Sequence, residues 1–523
     1  MKIKKYFLPD GEFQEAVQDT MALFGVEAGG EEIEFFLPND GVLVKNVVYY
    51  EERGLKTRTT IYYWENNEQR FLEAENQMTG SKAESAPSLA MRLVKLNILK
   101  LMREITGQHP GPWGILRGVR PAKIAERLLD QGQTGAEAAA NIAAGYGVEP
   151  KKAELLVDIS LRQREILRQA HPGENIAAHK LVSVYLGIPY CPSKCLYCSF
   201  PSSPLPERPS EIKDFLRALK QDVQSAADLL AKYDLAVENI YLGGGTPSSL
   251  SAEDFQELLS WAKNYFFGRY TKEFTVEAGR PDSLDEEKIE AMRHTGVTRV
   301  SVNPQTMRDK TLAAIGRQHS AEDIIEAFAK IRRAQIPFVN MDVIVGLPGE
   351  TEDDVLATMS RLAQLAPDNI TIHTLAVKRA SLLKAALTLS ETEDADAVSL
   401  PGDFAVGRMF ELSCAQAAQM GMRPYYLYRQ KNMAGNLENI GYAREGAECL
   451  YNIRIIGERQ TVIGIGPAAC TKVVNPTNWR LNSSYHPKDV ATYVKSLQTY
   501  LNRRERLLGA LCNGTQGLFP RQV

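Results

Sequence analysis

From residue 181 to residue 374 the chain alternates short β-branched apolar runs with longer amphipathic stretches, and this alternation is what most narrows its fold. The apolar runs cover 181–188, 239–242, 274–277, 299–302, 338–345 and 369–374, lengths typical of buried strands. Between them, 210–232, 252–267, 286–294, 321–334 and 352–365 place apolar residues at helical spacing. Strands separated by helices have to run parallel, because each connection crosses over the sheet. Six such units predict an α/β core in the form of a partial (β/α)6 barrel, with functional groups at the C-terminal ends of the strands.

The flanking regions read differently. Residues 1–175 hold no cysteine and form a predicted α+β domain. Runs 41–50 and 57–64 are β-branched and aromatic, so they predict antiparallel strands, and helical patterns follow at 91–105, 121–129, 136–144 and 150–170. His171-Pro-Gly-Glu-Asn175 reads as a linker. Three domains are expected: 1–175, a core at 176–385, and a mainly helical region at 386–523. The charge balance, 61 Lys+Arg against 64 Asp+Glu, gives no global field for nucleic acid. No apolar stretch approaches a membrane span and no export signal is visible, so a cytoplasmic protein with reduced cysteines is expected.

The strand ends carry the chemistry. Directly after the first strand comes Tyr190-Cys-Pro-Ser-Lys-Cys-Leu-Tyr-Cys-Ser-Phe200, which places Cys191, Cys195 and Cys198 at C-x3-C-x2-C. Three thiolates so spaced hold three irons of a [4Fe–4S] cluster and leave the fourth iron open to another ligand. Zinc would need a fourth ligand, and the nearest histidines, His171 and His179, precede the triplet at no recognised spacing. Gly243-Gly-Gly-Thr-Pro247 follows the second strand, where consecutive glycines let backbone groups approach a ligand; taken alone it is equally a tight loop. Glu277 ends the third strand and is by itself as readily a solvated residue. Asp342 sits inside the apolar run Val339–Gly346, and a charge in such a strand requires a partner. The remaining cysteines, Cys414, Cys449, Cys470 and Cys512, are scattered and read as core residues.

With these segments in this order, the chain resembles the radical S-adenosylmethionine (SAM) enzymes, and within them the oxygen-independent coproporphyrinogen III oxidase family, from about residue 181 to about 475. Its length, cysteine-free N-terminal extension, Tyr425–Asn436 segment and Cys-Ser-Phe loop ending resemble the long HemZ-type branch. The resemblance implies a [4Fe–4S] cluster on Cys191, Cys195 and Cys198 that binds SAM at its open iron and cleaves it reductively to a 5′-deoxyadenosyl radical. Implied SAM contacts are Tyr185, Tyr197, Gly244, Gly245, Thr246, Glu277 (ribose), Gln305, Arg317, Asp342 and Ala376. Ile463–Cys470 resembles the late glycine-rich segment that closes over the cofactor site, and 386–523 the family's closing domain. Two positions depart from the standard dehydrogenase: Phe200 replaces a further cysteine, and Asn303-Pro-Gln305 replaces Gly-Val-Gln.

The implied reaction converts two propionates of coproporphyrinogen III to vinyl groups, with a flavodoxin- or ferredoxin-type protein as electron donor. A tetra-anionic tetrapyrrole needs local cations, and Lys378, Arg379, Arg429 and Lys431 are candidates, with Tyr425, Tyr426 and Tyr428 as flat surfaces. Each is equally an ordinary surface charge or core aromatic. A heme-binding chaperone related to radical SAM enzymes is the alternative. Phe200 favours it, whereas the chain has no His-Asn dipeptide and carries Cys470 where that group has histidine. A radical methyltransferase acting on another tetrapyrrole is the third reading.

Overall fold

The computed structural model describes residues 3–8, 13–29, 37–51, 54–79, 84–118, 120–174, 176–378, 381–389 and 399–512. The chain packs as two compact units, one comprising 1–158 with 429–437, the other 159–428 with 438–523.

The first unit is a five-stranded sheet with helices. Its strands are β1 (Lys5–Phe7), β2 (Glu27–Ala28), β3 (Gly41–Glu51), β4 (Gly54–Glu65) and β5 (Glu68–Thr79), in the order β2-β1-β3-β4-β5. The β4–β5 hairpin turns on Asn66 and Asn67, both at positive φ (53° and 63°), as a two-residue turn matched to strand twist requires. Alternate residues of β4 (Leu55, Thr57, Thr59, Ile61, Tyr63) are buried. Helices α1 (Gln14–Met21) and α2 (Ala86–Thr106) contribute Val17, Met21, Val94, Ile98 and Met102 to the same core as Val42, Val44 and Ile61. A polar key orients α2: the Asn97 amide donates to Thr57 and Thr59 of β4 and accepts from Asn76 of β5. Two more helices follow, α3 (Ala122–Asp130) and α4 (Gly135–Tyr146), and the unit boundary falls within the next, α5 (Pro150–Ala170).

The second unit contains the predicted barrel core. Strands β6 (Leu181–Ile188), β7 (Tyr190–Cys191), β8 (Ser203–Pro204), β9 (Ala236–Gly244), β10 (Glu273–Glu277), β11 (Arg299–Ser301), β12 (Phe338–Val345) and β13 (Asn369–Thr374) lead to β14 (Arg423–Tyr428), β15 (Asn439–Ala443), β16 (Thr461–Ile465), β17 (Cys470–Val474) and β18 (Leu481–Tyr485). Helices α6 (Pro209–Lys232), α7 (Ala252–Phe266), α8 (Glu286–Thr295), α9 (Asp309–Ala314), α10 (Ala321–Arg333) and α11 (Glu352–Leu365) alternate with the barrel strands. Side-chain caps start several of them: Ser251, Asp285, Ser320 and Thr351 each accept from the third helical N–H.

Eleven strands form one sheet, β14-β15-β13-β12-β11-β10-β9-β6-β16-β17-β18, in which β6, β9, β10, β11, β12 and β13 are neighbours and parallel. This is the expected (β/α)6 arrangement. The C-terminal region carries α12 (Leu382–Leu389), α13 (Asp403–Gln419), α14 (Leu450–Gly457) and α15 (Val490–Cys512), and its five strands extend the sheet at both edges.

Strand periodicity divides the barrel strands into two unlike faces. One face is apolar and buried: Val182, Val184, Leu186, Ile240, Leu242, Phe274, Val276, Val300, Met341, Val343, Ile370 and Ile372. The other carries Ser183, Tyr185, Asn239, Tyr241, Thr275, Glu277, Ser301, Asn340, Asp342, Thr371 and His373. Hydrogen bonds join this polar face across strands, from Asn239 to Ser183 (3.1 Å), from Asn340 to Ser301 (3.3 Å) and from Thr371 to Asn340 (3.5 Å). A parallel sheet ordinarily buries apolar side chains on both faces, so a polar inner face marks the binding surface. Among the described residues no helix is long and apolar enough to cross a membrane.

Candidate functional site: a cysteine loop and a glycine cradle at the strand ends

The cysteine loop leaves β6 and is closed by parallel pairing of β7 with β8. Backbone bonds stitch it to other strand-end segments: Leu196 N–H donates to Ile315 O (2.9 Å) and Leu383 N–H to Leu196 O (2.8 Å). Cys195 is buried and Cys191 and Cys198 half-buried. Several groups address the sulfurs, Arg317 at Cys195 among them. Thr246 Oγ1 donates to Cys191 Sγ at 3.5 Å, Arg280 Nη1 to Cys195 Sγ at 3.7 Å, and the Phe200 N–H reaches Cys198. Burial and the neighbouring Cys195 and Cys191 push the Cys198 thiol up, against the pull of the Phe200 N–H.

Beside the loop lies the glycine segment at the end of β9. A Cβ on Gly245 would sit 2.4 Å from Tyr190 O and 3.0 Å from Cys191 Sγ, so only glycine lets the two loops pack this closely. Gly244 takes φ +108°, and its N–H donates to Glu277 Oε2 at 3.3 Å. The other Glu277 oxygen accepts from the Tyr241 hydroxyl. Burial, with the Asp342 charge adding to it, pushes Glu277 up to about 7, while Tyr241 and the Gly244 N–H work the other way. Tyr241 stacks on Tyr451 (4.2 Å between centroids) and on Tyr185 (6.1 Å), and burial holds all three phenols protonated.

The next strand ends complete the arc. Asp342 Oδ1 accepts from Asn340 Nδ2 (2.8 Å), and Oδ2 lies 3.6 Å from His373 Nε2. Burial opposes the Asp342 charge, but the histidine and the amide outweigh it and hold the carboxyl below its ordinary value. Gln305 bridges to β12 at φ 65°, and its buried Oε1 has no hydrogen-bond partner. Arg317 is 7% exposed; it donates to Asn303 O (2.6 Å), Gly279 O (3.2 Å) and Tyr197 Oη (3.2 Å), and its buried Nε is unpartnered. It also reaches the Cys195 thiol and His319 Nε2 (3.5 Å), and among the described residues it has no carboxylate of the kind that ordinarily pairs with a buried guanidinium. Ala376 and Lys378 follow β13, both half-buried. Burial lowers the Lys378 ammonium, the Cys198 thiol acts against that shift, and among the described residues no carboxylate pairs with it.

The structure thus brings together, within the second unit, the three cysteines, the glycine segment, Glu277, Gln305, Arg317, Asp342 and Lys378. Arg379 lies outside the described residues. Arg429 and Lys431 belong to the first unit. There Arg429 donates to Leu437 O and Asn436 and lies over Trp113 (5.3 Å), and Lys431 pairs with Asp19 at 3.4 Å. Three site groups escaped the sequence reading: Tyr241, His373 and Arg280. Strand alternation signals two of them, since Tyr241 precedes Gly243 by two residues and His373 follows the inward Thr371 by two.

These residues fit an iron–sulfur cluster with SAM. The thiols are sheltered and addressed by N–H and O–H donors, Arg317 and Gln305 carry orphaned buried donor and acceptor atoms, and a Cβ would fill the backbone cradle at Gly245 against Cys191. Among the described residues, no three His, Cys, Asp or Glu side chains converge as ligands of a single metal ion. Residues 185–362 match the Radical SAM superfamily. The oxygen-independent coproporphyrinogen-III oxidase-like protein HemZ of Bacillus subtilis is 33% identical over 97% of this chain and 98% of its own length. The chain belongs to this coproporphyrinogen oxidase-like family of radical SAM proteins. Members of the superfamily use a [4Fe–4S] cluster and SAM. The heme chaperone HemW of Escherichia coli is 26% identical over 62% of the chain and 82% of its own. The solved coproporphyrinogen III oxidase (HemN) of Escherichia coli shares the fold, with a TM-score of 0.50 and 19% identity over 67% of this chain and 79% of that one.

Proposed function

We propose that the protein oxidatively decarboxylates coproporphyrinogen III to protoporphyrinogen IX, in the cytoplasm and with an electron from a flavodoxin- or ferredoxin-type donor. The observation that carries this reading is the half-buried Lys378, placed just beyond β13, a cation without a carboxylate partner among the described residues. An ammonium there suits a propionate presented to the cluster. Each propionate would give up a β-hydrogen atom, pass one further electron to an external one-electron acceptor and release carbon dioxide, leaving a vinyl group. The bound cluster and SAM supply the hydrogen-abstracting chemistry. The chain's own residues hold the partners: Glu277 accepts from the ribose hydroxyls of SAM, Arg317 receives its carboxylate, Gly244, Gly245 and Thr246 line its amino group, and Gln305, Asp342, Tyr185, Tyr197 and Ala376 complete the contact. Arg379 and Lys431 remain candidate substrate cations. The full-length relationship to HemZ supports this reading.

A second reading is favoured by the HemW relatives and by Phe200, which is 67% exposed on the cysteine loop: a heme-delivering protein that keeps the cluster. Anaerobic reconstitution with SAM, a reductant and coproporphyrinogen III, followed by mass spectrometry, separates the two. Loss of two carbon dioxide units per porphyrin, with 5′-deoxyadenosine formed, is expected. SAM cleavage with an intact porphyrinogen, together with stoichiometric heme binding, would replace the oxidase reading by the second.

A further inference from the structure

Three residues beyond Glu277, the chain places a buried arginine that neither strand periodicity nor the family resemblance picks out. Arg280 is 3% exposed and directs its fork two ways. On one side Nε and Nη2 hold both oxygens of Asp282 (3.1 and 3.0 Å). On the other, Nη2 donates to Ser193 Oγ (2.9 Å), and Nη1 to Ser193 O (3.3 Å) and Cys195 Sγ (3.7 Å). His319 Nδ1 lies 3.2 Å from Asp282 Oδ1, and burial keeps the imidazole below its ordinary value, so it is neutral near pH 7. Arg317, the second guanidinium at this loop, has no carboxylate partner among the described residues. Two buried arginines against one aspartate leave an uncompensated positive charge around Cys195.

We propose that Arg280, clamped by Asp282, is a positioning residue of the cysteine loop whose N–H···S bond and charge raise the reduction potential of the cluster. A cluster on three thiolates becomes more negative when it accepts an electron. A fixed cation in a water-poor site favours the more negative state, and hydrogen bonds to cluster sulfurs act in the same direction. The planar fork is needed because one guanidinium has to hold the carboxylate and the loop at once, which an ammonium cannot span.

The test is an EPR-monitored redox titration of the anaerobically reconstituted full chain, with iron and sulfide counted per protein. Arg280→Gln is expected to shift the potential to a more negative value and to slow reductive SAM cleavage, with the SAM dissociation constant unchanged within twofold. Arg280→Lys keeps the charge without the fork and is expected to recover part of the shift. It also serves as the deciding variant if Arg280→Gln loads too little iron. A wild-type potential in either variant carrying a full cluster would overturn the proposal. A purely structural role would show the same wild-type potential, with only the iron count reduced.

Discussion

The Tyr241 hydroxyl on β9 donates to Glu277 Oε1 at the end of β10, so a neutral phenol holds the carboxylate assigned to the SAM ribose. The bond fixes the rotamer and favours the charged form. Tyr241→Phe keeps the ring stacked on Tyr451 but removes the donor. Because Tyr241 lowers the Glu277 value, its loss raises that value further. SAM affinity is expected to fall about tenfold at pH 7, the effect of about 1.4 kcal/mol. The pH at which affinity reaches half its plateau should move upward. Calorimetric SAM titrations from pH 6 to 9 check both; an unchanged profile would separate Tyr241 from SAM binding.

The same carboxylate destabilises the ligand-free protein. Its folded value, about 7, lies above the reference 4.5, so the folded chain holds the proton more tightly than the unfolded chain. The stabilising contribution is complete below pH 4.5 and is lost as pH rises through 7. Glu277→Gln should therefore match wild type near pH 5 and exceed it at pH 8 by roughly 1–3 kcal/mol. Urea unfolding at the two pH values measures the difference. Equal stability at both would mean that the carboxylate is well solvated.

Glycine spacing in the cradle makes a steric prediction. A Cβ at Gly245 meets the backbone oxygen of Tyr190, which cannot retreat, whereas a Cβ at Gly243 meets two side chains, Glu277 Oε2 at 2.7 Å and the Tyr241 ring at 2.9 Å. Gly245→Ala is expected to displace the cysteine loop and lower cluster iron by more than half. Gly243→Ala should load a normal cluster but bind SAM about tenfold more weakly, because it moves the carboxylate and the phenol ring that holds it rather than the cysteine loop. Iron analysis beside SAM titration distinguishes the two effects, and full iron in Gly245→Ala would refute the close packing.

Much of this site can be read from the sequence because barrel geometry turns strand ends into a ring: Cys191, Gly244 and Glu277 are distant in sequence, yet each follows or ends a parallel strand, and Asp342 lies within a fourth, β12. What alternation does not reveal is which inward side chains answer one another. Asp342 visibly needs a partner, but the partner is His373, one strand away, and only the β12–β13 register supplies it. Arg429 shows the opposite failure. Its position in a tyrosine-rich segment suggests a substrate cation, but the backbone carries residues 429–437 into the first unit, where carbonyls of Asn436 and Leu437 occupy the guanidinium. Long-range pairing of this kind leaves no local pattern in composition or spacing.

Away from the strand ends, Glu238 anchors a buried charge network whose pH dependence has two arms. Its side chain is fully buried and accepts from Arg454 Nε and Nη2 (both 2.7 Å), Gln460 Nε2 (2.6 Å) and His171 Nε2 (2.9 Å). Burial opposes the charge, but His171, Arg454 and Gln460 outweigh it and hold the carboxyl down to about 2. Its contribution is present above the reference 4.5 and lost as pH falls toward 2. His171 is shifted the other way, chiefly by Glu238 and against the cost of burial. Its contribution is present below the reference 6.5 and lost as pH rises through the higher folded value. The network therefore stabilises most between about pH 4.5 and 6.5. Glu238→Gln leaves Arg454 without its counter-charge and is expected to cost about 3–5 kcal/mol at pH 6. His171→Ala should flatten the alkaline arm and leave the acid arm in place. Urea unfolding at pH 3, 6 and 9 follows both arms, and an alkaline decline that persists in His171→Ala would assign that arm to another group.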